Sequence, residues 1–199
     1  MKTLLLPVIL IIAICISCEK DNEYISGFKP ISENSVCESL KPVTDFDYYE
    51  IRNYFCFDTS KYEIIYSKGN KPEFDNVFQK NNGVIYTRAD VCMFNNIFTV
   101  KSNEHKFWTT YNEIINFLGP IDSESDALFI AHLRGYYFKY DDDNYGIKKN
   151  GETYLIYAFQ LVSACLPVET DRFLLEINKS GDIHILKREV VSREENACI

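Results

Sequence analysis

Apolar residues in the second half of the chain recur at helical spacing in two neighbouring segments. Residues 104–118 place six large side chains on one side of a helix, at positions three or four residues apart. They are Phe107, Trp108, Tyr111, Ile114, Ile115 and Leu118. Asn103 can cap the start of this helix and Gly119 can end it. A second helix is predicted over residues 123–134, with Gly135 after its end. It is apolar on nearly all sides, which indicates a buried helix.

The pattern then changes to the two-residue period of β-strands. Four strands are predicted after the helices, over residues 136–140, 153–163, 172–178 and 182–191. The second of these is apolar on both faces, which is typical of a central strand. A tight turn at Gly181 joins the last two strands, and pairing Leu175 with Ile185 aligns their apolar faces. The same register pairs Ile177 with Ile183.

A helix pair followed by an antiparallel β-meander predicts an α+β fold in which the helices pack on the meander. In layout this loosely resembles cystatin-like and PepSY-like domains. The first half of the chain is less regular. Residues 62–66, 84–87 and 97–100 predict strands, and residues 72–80 predict a short helix. Residues 48–57 fit either a strand or a helix.

The N-terminal segment has the layout of an export signal. Lys2 supplies a positive charge, residues 4–16 are almost entirely apolar, and Ser17 places a small residue directly before Cys18. The apolar run is shorter than the about 20 residues of a comfortable membrane span. We therefore expect a cleaved signal peptide.

The last four residues of this segment, Cys15-Ile16-Ser17-Cys18, resemble the lipobox of bacterial lipoproteins, of a form similar to that in Bacteroidota. The charged residues 19–23 are similar to the signal that sends lipoproteins of that group to the cell surface. The resemblance implies that Cys18 is lipidated and that the chain is anchored in the outer membrane, with the domain possibly at the surface. The alternative is an ordinary signal peptide that leaves Cys18 as a free thiol.

Composition and charge bound the rest of the chain. The predicted organisation is a signal peptide over residues 1–17, a flexible tether over residues 18–35 and a single α+β domain over residues 36–199. The formal net charge is −8. Such a surface repels phosphate backbones, so nucleic acid is not an expected partner.

Five cysteines remain beyond the lipobox, and an exported chain can form disulfides. In the predicted meander register, residue 163 lies beside residue 172, which lies beside residue 188. Cys165 and Cys198 then fall beyond the same end of the sheet, which predicts a disulfide between them. Cys37 with Cys56 is a second candidate pair, and it would leave Cys92 free. The spacing of these cysteines matches no zinc motif.

One acidic segment has part of the spacing of a calcium loop. With Asp141 at the first position, Asp143 takes the third position, Gly146 the sixth and Glu152 the twelfth. Tyr145 breaks the pattern at the fifth position, and the flanking segments are predicted strands where a calcium loop has helices. The alternative is a polar hairpin loop without a bound metal.

The three histidines were considered as bases or ligands. His132 lies in the predicted buried helix and is expected in the core, His105 is expected in the first turn of the preceding helix, and His184 is expected to be exposed. A Cys–His hydrolase would use Cys92 or Cys165 with His132. None of these residues has a recognisable catalytic flanking motif, so no catalytic residue is assigned.

These observations predict a binding or interaction module, held at the membrane by its lipid anchor, with a protein or glycan partner and without a cofactor. Six tyrosines support contact with such a partner if they are exposed, or a core role if they are buried. They are Tyr136, Tyr137, Tyr140, Tyr145, Tyr154 and Tyr157. The alternatives are an inhibitor or immunity-type protein against a basic secreted toxin or hydrolase, and a hydrolase.

Overall fold

The described part of the chain contains ten β-strands, two α-helices and a short 3-10 helix. The structure is a computed structural model that describes residues 27–73, 82–88, 91–142 and 145–199. The strands are β1 (Lys29–Pro30), β2 (Tyr48–Phe55), β3 (Asp58–Gly69), β4 (Val84–Arg88), β5 (Val91–Lys101), β6 (Glu104–Trp108), β7 (Gly146–Asn150), β8 (Thr153–Ala164), β9 (Val168–Ile177) and β10 (Ile183–Glu194). The helices are the 3-10 helix Glu33–Val36, α1 (Tyr111–Leu118) and α2 (Glu124–His132).

The strands form two antiparallel sheets. The meander sheet has the order β1-β7-β8-β9-β10, and the N-terminal sheet has the order β3-β2-β5-β4, with β6 also paired to β5. The fold is therefore α+β with a β-rich character. Among the described residues, neither helix is long and apolar enough to cross a bilayer.

The meander matches the predicted pattern most closely. Ile183 pairs with Ile177 and Ile185 pairs with Leu175, as predicted from their alternation. Leu186 is a bulge residue that shifts the register by one position further along β10. The predicted strand over residues 136–140 is wrong, because that segment makes only isolated bridges to neighbouring strands.

Helix α1 is shorter than predicted. The segment that was expected to be its first half is strand β6, which returns along β5 after a turn at Ser102 and Asn103. Both turn residues have positive φ, 51° and 66°, as a two-residue hairpin turn requires. The helix begins only after Thr110, whose side chain forms a capping box with Glu113. His105 therefore lies on a strand and not in a first helical turn.

Helix α2 is buried along most of its length, as predicted. It starts at a capping box of Ser123 and Asp126, and the chain turns away at Gly135, which has φ of 83°. One apolar cluster contains α2 together with side chains from both sheets, such as Ile51 of β2 and Ile156 of β8. The helices therefore lie between the two sheets, which explains why α2 is apolar on all sides.

The N-terminal half is mostly strand. Residues 48–57, which fitted either helix or strand, contain β2, and the three predicted strands lie within β3, β4 and β5. Of the helix predicted over residues 72–80, residues 74–80 lie outside the described residues, and residues 72 and 73 are in neither helix nor strand.

The tether is shorter than predicted. Lys29 and Pro30 pair with β7, and Ile31 is only 1% exposed within the core. These residues therefore belong to the folded domain, because a buried apolar side chain and strand pairing fix the backbone. The signal peptide, Cys18 and residues 18–26 of the tether lie outside the described residues.

Each sheet carries one disulfide. Cys165 pairs with Cys198, the pair that the meander register predicts. The predicted pair of Cys37 with Cys56 is wrong, because Cys56 pairs with Cys92 and Cys37 is a free thiol. The reason is the pairing of β2 with β5, which places Cys92 beside the end of β2. There the backbone N–H of Cys56 donates to the carbonyl oxygen of Cys92 (3.0 Å).

Candidate binding cleft

The acidic residues of the predicted calcium loop do not form such a loop. Strand β7 lies between Asp141 and Glu152 and pairs with β8, so its two ends are about 13 Å apart at a rise of about 3.3 Å per residue. An extended strand cannot be part of the compact loop that calcium requires. Glu152 instead forms an ion pair with Lys179. Asp143 lies outside the described residues, and the described chain holds no cluster of three metal-binding side chains.

The six tyrosines that were expected to cluster separate into three groups. Two are buried in the core, namely Tyr136 and Tyr154. Three lie beside the meander sheet: the hydroxyl of Tyr145 accepts a hydrogen bond from Arg172 (2.9 Å), the ring of Tyr157 contacts that of Tyr145, and Tyr137 contacts Phe159 and also lines a cavity. The sixth, Tyr140, lines a neighbouring cavity.

His132 is less buried than predicted. It is the last residue of α2, is half-buried, and its ring lies 5.4 Å from the ring of Tyr86. His184 is exposed on β10, as predicted. His132 is therefore the predicted candidate residue that the fold places at a cavity.

Two neighbouring cavities share His132 and Ile65 among their lining residues, and we call them together the His132 cleft. The outer cavity, of about 490 Å³, is lined in addition by Glu33, Asn34, Val36, Cys37, Glu38, Tyr66 and Tyr140. The inner cavity, of about 250 Å³, is lined in addition by Asn53, Glu63, Tyr86, Met93, Gly135, Tyr136 and Tyr137. The cleft exists because α2 ends at His132, so that no helix covers the last part of the N-terminal sheet.

The floor of the inner cavity is the polar end of the N-terminal sheet. In register, Ile51 lies beside Ile97, and the next pair on the same face is Asn53 beside Asn95. The hydroxyl of Tyr86 donates to Oδ1 of Asn53 (3.1 Å). The sheet therefore changes along its length from an apolar core surface to an amide surface where the helices end.

Asn95, beside Asn53 in register, is the least satisfied group of this end of the sheet. Its side chain is 0% exposed, and neither Nδ2 nor Oδ1 has a hydrogen-bond partner within the described chain. A buried amide without partners costs about 1–3 kcal/mol. A group that carries such a cost requires a physical explanation.

The wall of the outer cavity is fixed by backbone contacts. The hydroxyl of Tyr66 donates to the carbonyl of Glu38 (3.0 Å), which ties β3 to the segment after the 3-10 helix. Burial raises the pKa of the Cys37 thiol to about 12, because the thiolate is poorly solvated there. The Cys37 thiol is therefore protonated at neutral pH and is a poor nucleophile.

The charge of the cleft has one sign. Glu33, Glu38 and Glu63 line it, and no lysine or arginine is among the described residues that do so. None of the three carboxylates has an ion pair with another described residue. These carboxylates can accept hydrogen bonds, and together with the tyrosine rings they attract cations. The same carboxylates disfavour the binding of anions.

Comparison with protein-family models, curated proteins and solved structures finds no match for this chain.

Proposed function

We propose that this chain is an exported, lipid-anchored protein of the outer membrane that binds a protein or glycan partner through the His132 cleft, and that it is not an enzyme. The lipobox-like sequence at Cys18 supports the anchor, and the cleft supports the binding role. The loose likeness of the helix pair and meander to cystatin-like and PepSY-like layouts remains a prediction within this proposal.

The observation that carries the binding role is the mixed lining of the inner cavity, next to the partnerless buried amide of Asn95. Core positions with no function are normally apolar or fully hydrogen-bonded. The lining itself combines the amide of Asn53 with Tyr86 and Tyr137, and such a mixture of aromatic and polar groups suits recognition.

The hydrolase alternative loses its two proposed nucleophiles. Cys92 and Cys165 are both in disulfides, so neither can attack a substrate as a thiolate. The thiol that does line the cleft, Cys37, has a pKa raised to about 12 by burial. These facts favour binding over Cys–His catalysis.

An inhibitor or immunity-type role is the second candidate. The formal net charge of −8 and the three cleft carboxylates suit a basic target, since charge complementarity speeds association and fixes orientation. In this form of the proposal the partner is a secreted toxin or hydrolase, and binding through the cleft neutralises it.

Filling the cleft tests the binding role. Ile65 is 39% exposed and lines both cavities, whereas its neighbour Ile64 is equally exposed and lines neither. We expect Ile65→Trp to abolish binding to peptide and glycan arrays, and Ile64→Trp to leave it unchanged. Equal binding by wild type and both variants would place recognition elsewhere and end this proposal.

The anchor is tested separately by metabolic labelling with palmitate. We expect the full-length chain to incorporate label and to fractionate with membranes, and Cys18→Ala to lose both properties. A Cys18→Ala chain that stays membrane-bound and a wild type that takes up no label would show that the anchor is not a lipid on Cys18.

A further inference from the structure

We infer that the inner cavity of the His132 cleft receives a basic side chain, arginine or lysine, from an extended segment of a protein partner. This inference rests on the proposed function and adds the chemistry of the partner. It uses four properties of the cleft: its charge, its rings, its amide floor and its shape.

The charge comes first. Glu63 lines the inner cavity, and Glu33 and Glu38 line the outer one, with no basic residue among the described lining residues. Carboxylates of one sign attract a cation and repel an anion, so they favour a basic ligand over a neutral one.

The rings of the inner cavity suit the same group. Tyr86, Tyr136 and Tyr137 lie around it, and the faces of aromatic rings attract guanidinium and ammonium groups. The molecule uses this contact elsewhere, since the guanidinium of Arg134 lies 3.7 Å from the ring centre of Tyr111.

The amide floor supplies acceptors for the donors of a basic side chain. Oδ1 of Asn95 has no partner in the described chain, and the cross-strand register places Asn95 beside Asn53, which lines the cavity. Arginine has five N–H donors in a planar fork and no acceptor. Asn53 and Glu63 both line the cavity, and their side-chain oxygens can each accept from such a fork.

The shape of the cleft favours a side chain attached to a longer chain. The inner cavity, of about 250 Å³, shares His132 and Ile65 with the outer cavity, of about 490 Å³, so the two lie side by side. A peptide backbone can lie in the outer cavity beside Glu33 and Glu38 while one side chain enters the inner cavity. A free small cation would leave the outer cavity unused.

The test is peptide selection with the full-length protein. A display library of random heptapeptides is selected against immobilised wild type after removal of peptides that bind Ile65→Trp. We expect the selected peptides to share arginine or lysine at one fixed position. Replacing that residue by citrulline or norleucine, respectively, should weaken binding at least tenfold by calorimetry.

Charge variants locate the contact. Glu63→Gln should weaken binding of the selected peptide about fivefold, which is the loss expected when one ion pair of about 1 kcal/mol is removed. The matched control is Glu194→Gln, which removes the same charge from exposed β10, lines neither cavity and should leave affinity unchanged.

Three results would overturn the inference: selected peptides without a shared basic residue, no selected peptides at all, or equal effects of Glu63→Gln and Glu194→Gln. If glycans then bind wild type but not Ile65→Trp, the binding role of the cleft stands and only its basic partner is wrong. Binding of N-acetylarginine amide as tightly as of the peptide would also contradict a peptide occupant.

Discussion

The two sheets place their polar residues differently. The N-terminal sheet buries polar side chains on both faces: Glu50 and Arg52 on the outer face, Asn53 and Asn95 on the face toward the helices. The meander sheet keeps its core face apolar apart from Asp171, and its edge strand β10 carries five charged residues. The apolar core face of the meander favours stability, whereas the N-terminal sheet buries polar side chains next to the cleft, at a cost in stability.

The buried charge pair of β2 illustrates the cost. Nε of Arg52 donates to Glu50 (2.5 Å), and the hydroxyl of Tyr48 donates to the other oxygen of the same carboxylate (2.5 Å). The guanidinium also lies 4.2 Å from the ring centre of Tyr62 and 4.6 Å from that of Phe98. Pairs of this kind are strongly destabilising when one partner is removed, because the other charge stays buried.

The largest predicted effect is therefore at Glu50. We expect Glu50→Ala to lower the free energy of unfolding by about 3–5 kcal/mol, because Arg52 would remain buried without its counter-ion. The matched change in the meander is Glu189→Ala, which removes the partner of the half-exposed Arg172 and should cost about 1 kcal/mol or less. Urea unfolding measures both. Equal losses would break the contrast between the sheets.

The disulfides come next, and here the two sheets should behave alike. Cys56–Cys92 and Cys165–Cys198 close loops of similar sequence separation, 36 and 33 residues. In the chain-entropy account each stabilises the fold by about 3–4 kcal/mol. We expect both double serine variants to lose that amount by thermal or urea unfolding. A much smaller loss for Cys56→Ser with Cys92→Ser would indicate that β2 and β5 are already constrained in the unfolded chain.

The meander could be predicted from the sequence because its information is local. Ile177 and Ile183 flank a turn at Gly181, so alternation and turn chemistry together set the register. The predicted disulfide of Cys165 with Cys198 is present, although the predicted pairing of residue 163 with residue 172 is wrong, because Phe159 lies beside Arg172. The helix expected from residue 104 failed because helical spacing of aromatic residues competes with a hairpin turn at Ser102 and Asn103, and the turn prevailed.

The cleft could be predicted only in part. His132 was considered from the sequence, but Asn53, Glu63 and Asn95 meet only through the pairing of β2 with β3 and β5, which joins residues far apart in the chain. One local signal was present, since Asn95 and Asn96 interrupt an apolar strand. A polar pair within such a strand indicates either a bulge or a function, and pairing information is needed to decide which.

The third prediction tests the unsatisfied amide. We expect Asn95→Leu, which keeps the branched shape of the side chain, to raise the stability of the ligand-free protein by about 1–2 kcal/mol, because a partnerless buried amide is replaced by an apolar side chain. The control is the equally buried Asn96 on the opposite face, whose Nδ2 donates to the carbonyl of Asn82 (3.1 Å). Asn96→Leu should destabilise by a similar amount. Destabilisation by Asn95→Leu would contradict the account of the cleft floor.

The smallest predicted changes in stability are at the N-terminal caps of the two helices. One capping carboxyl is only partly buried and the other is buried, so their contributions to stability should depend on pH differently. At α1, the backbone N–H groups of Thr109 (2.8 Å) and Thr110 (2.9 Å) donate to Glu113 and hold the pKa of that carboxyl below its usual range. At α2, burial raises the pKa of Asp126, although it caps its helix in the same way.

The two caps should therefore respond to pH with opposite sign. A carboxyl whose pKa is lowered in the folded state stabilises the protein at a pH above the unfolded pKa of about 4.3, and this stabilisation is lost as the pH falls through the folded pKa. A carboxyl whose pKa is raised in the folded state destabilises the protein as the pH rises through the folded pKa. We expect Glu113→Gln to cost about 0.5–1 kcal/mol at pH 7, and this cost should shrink as the pH falls through the lowered pKa of the folded state. Asp126→Asn should become more stable relative to wild type as the pH rises. Urea unfolding of the three proteins between pH 3 and 7 measures both trends, and parallel curves would show that α2 is not capped in a buried site.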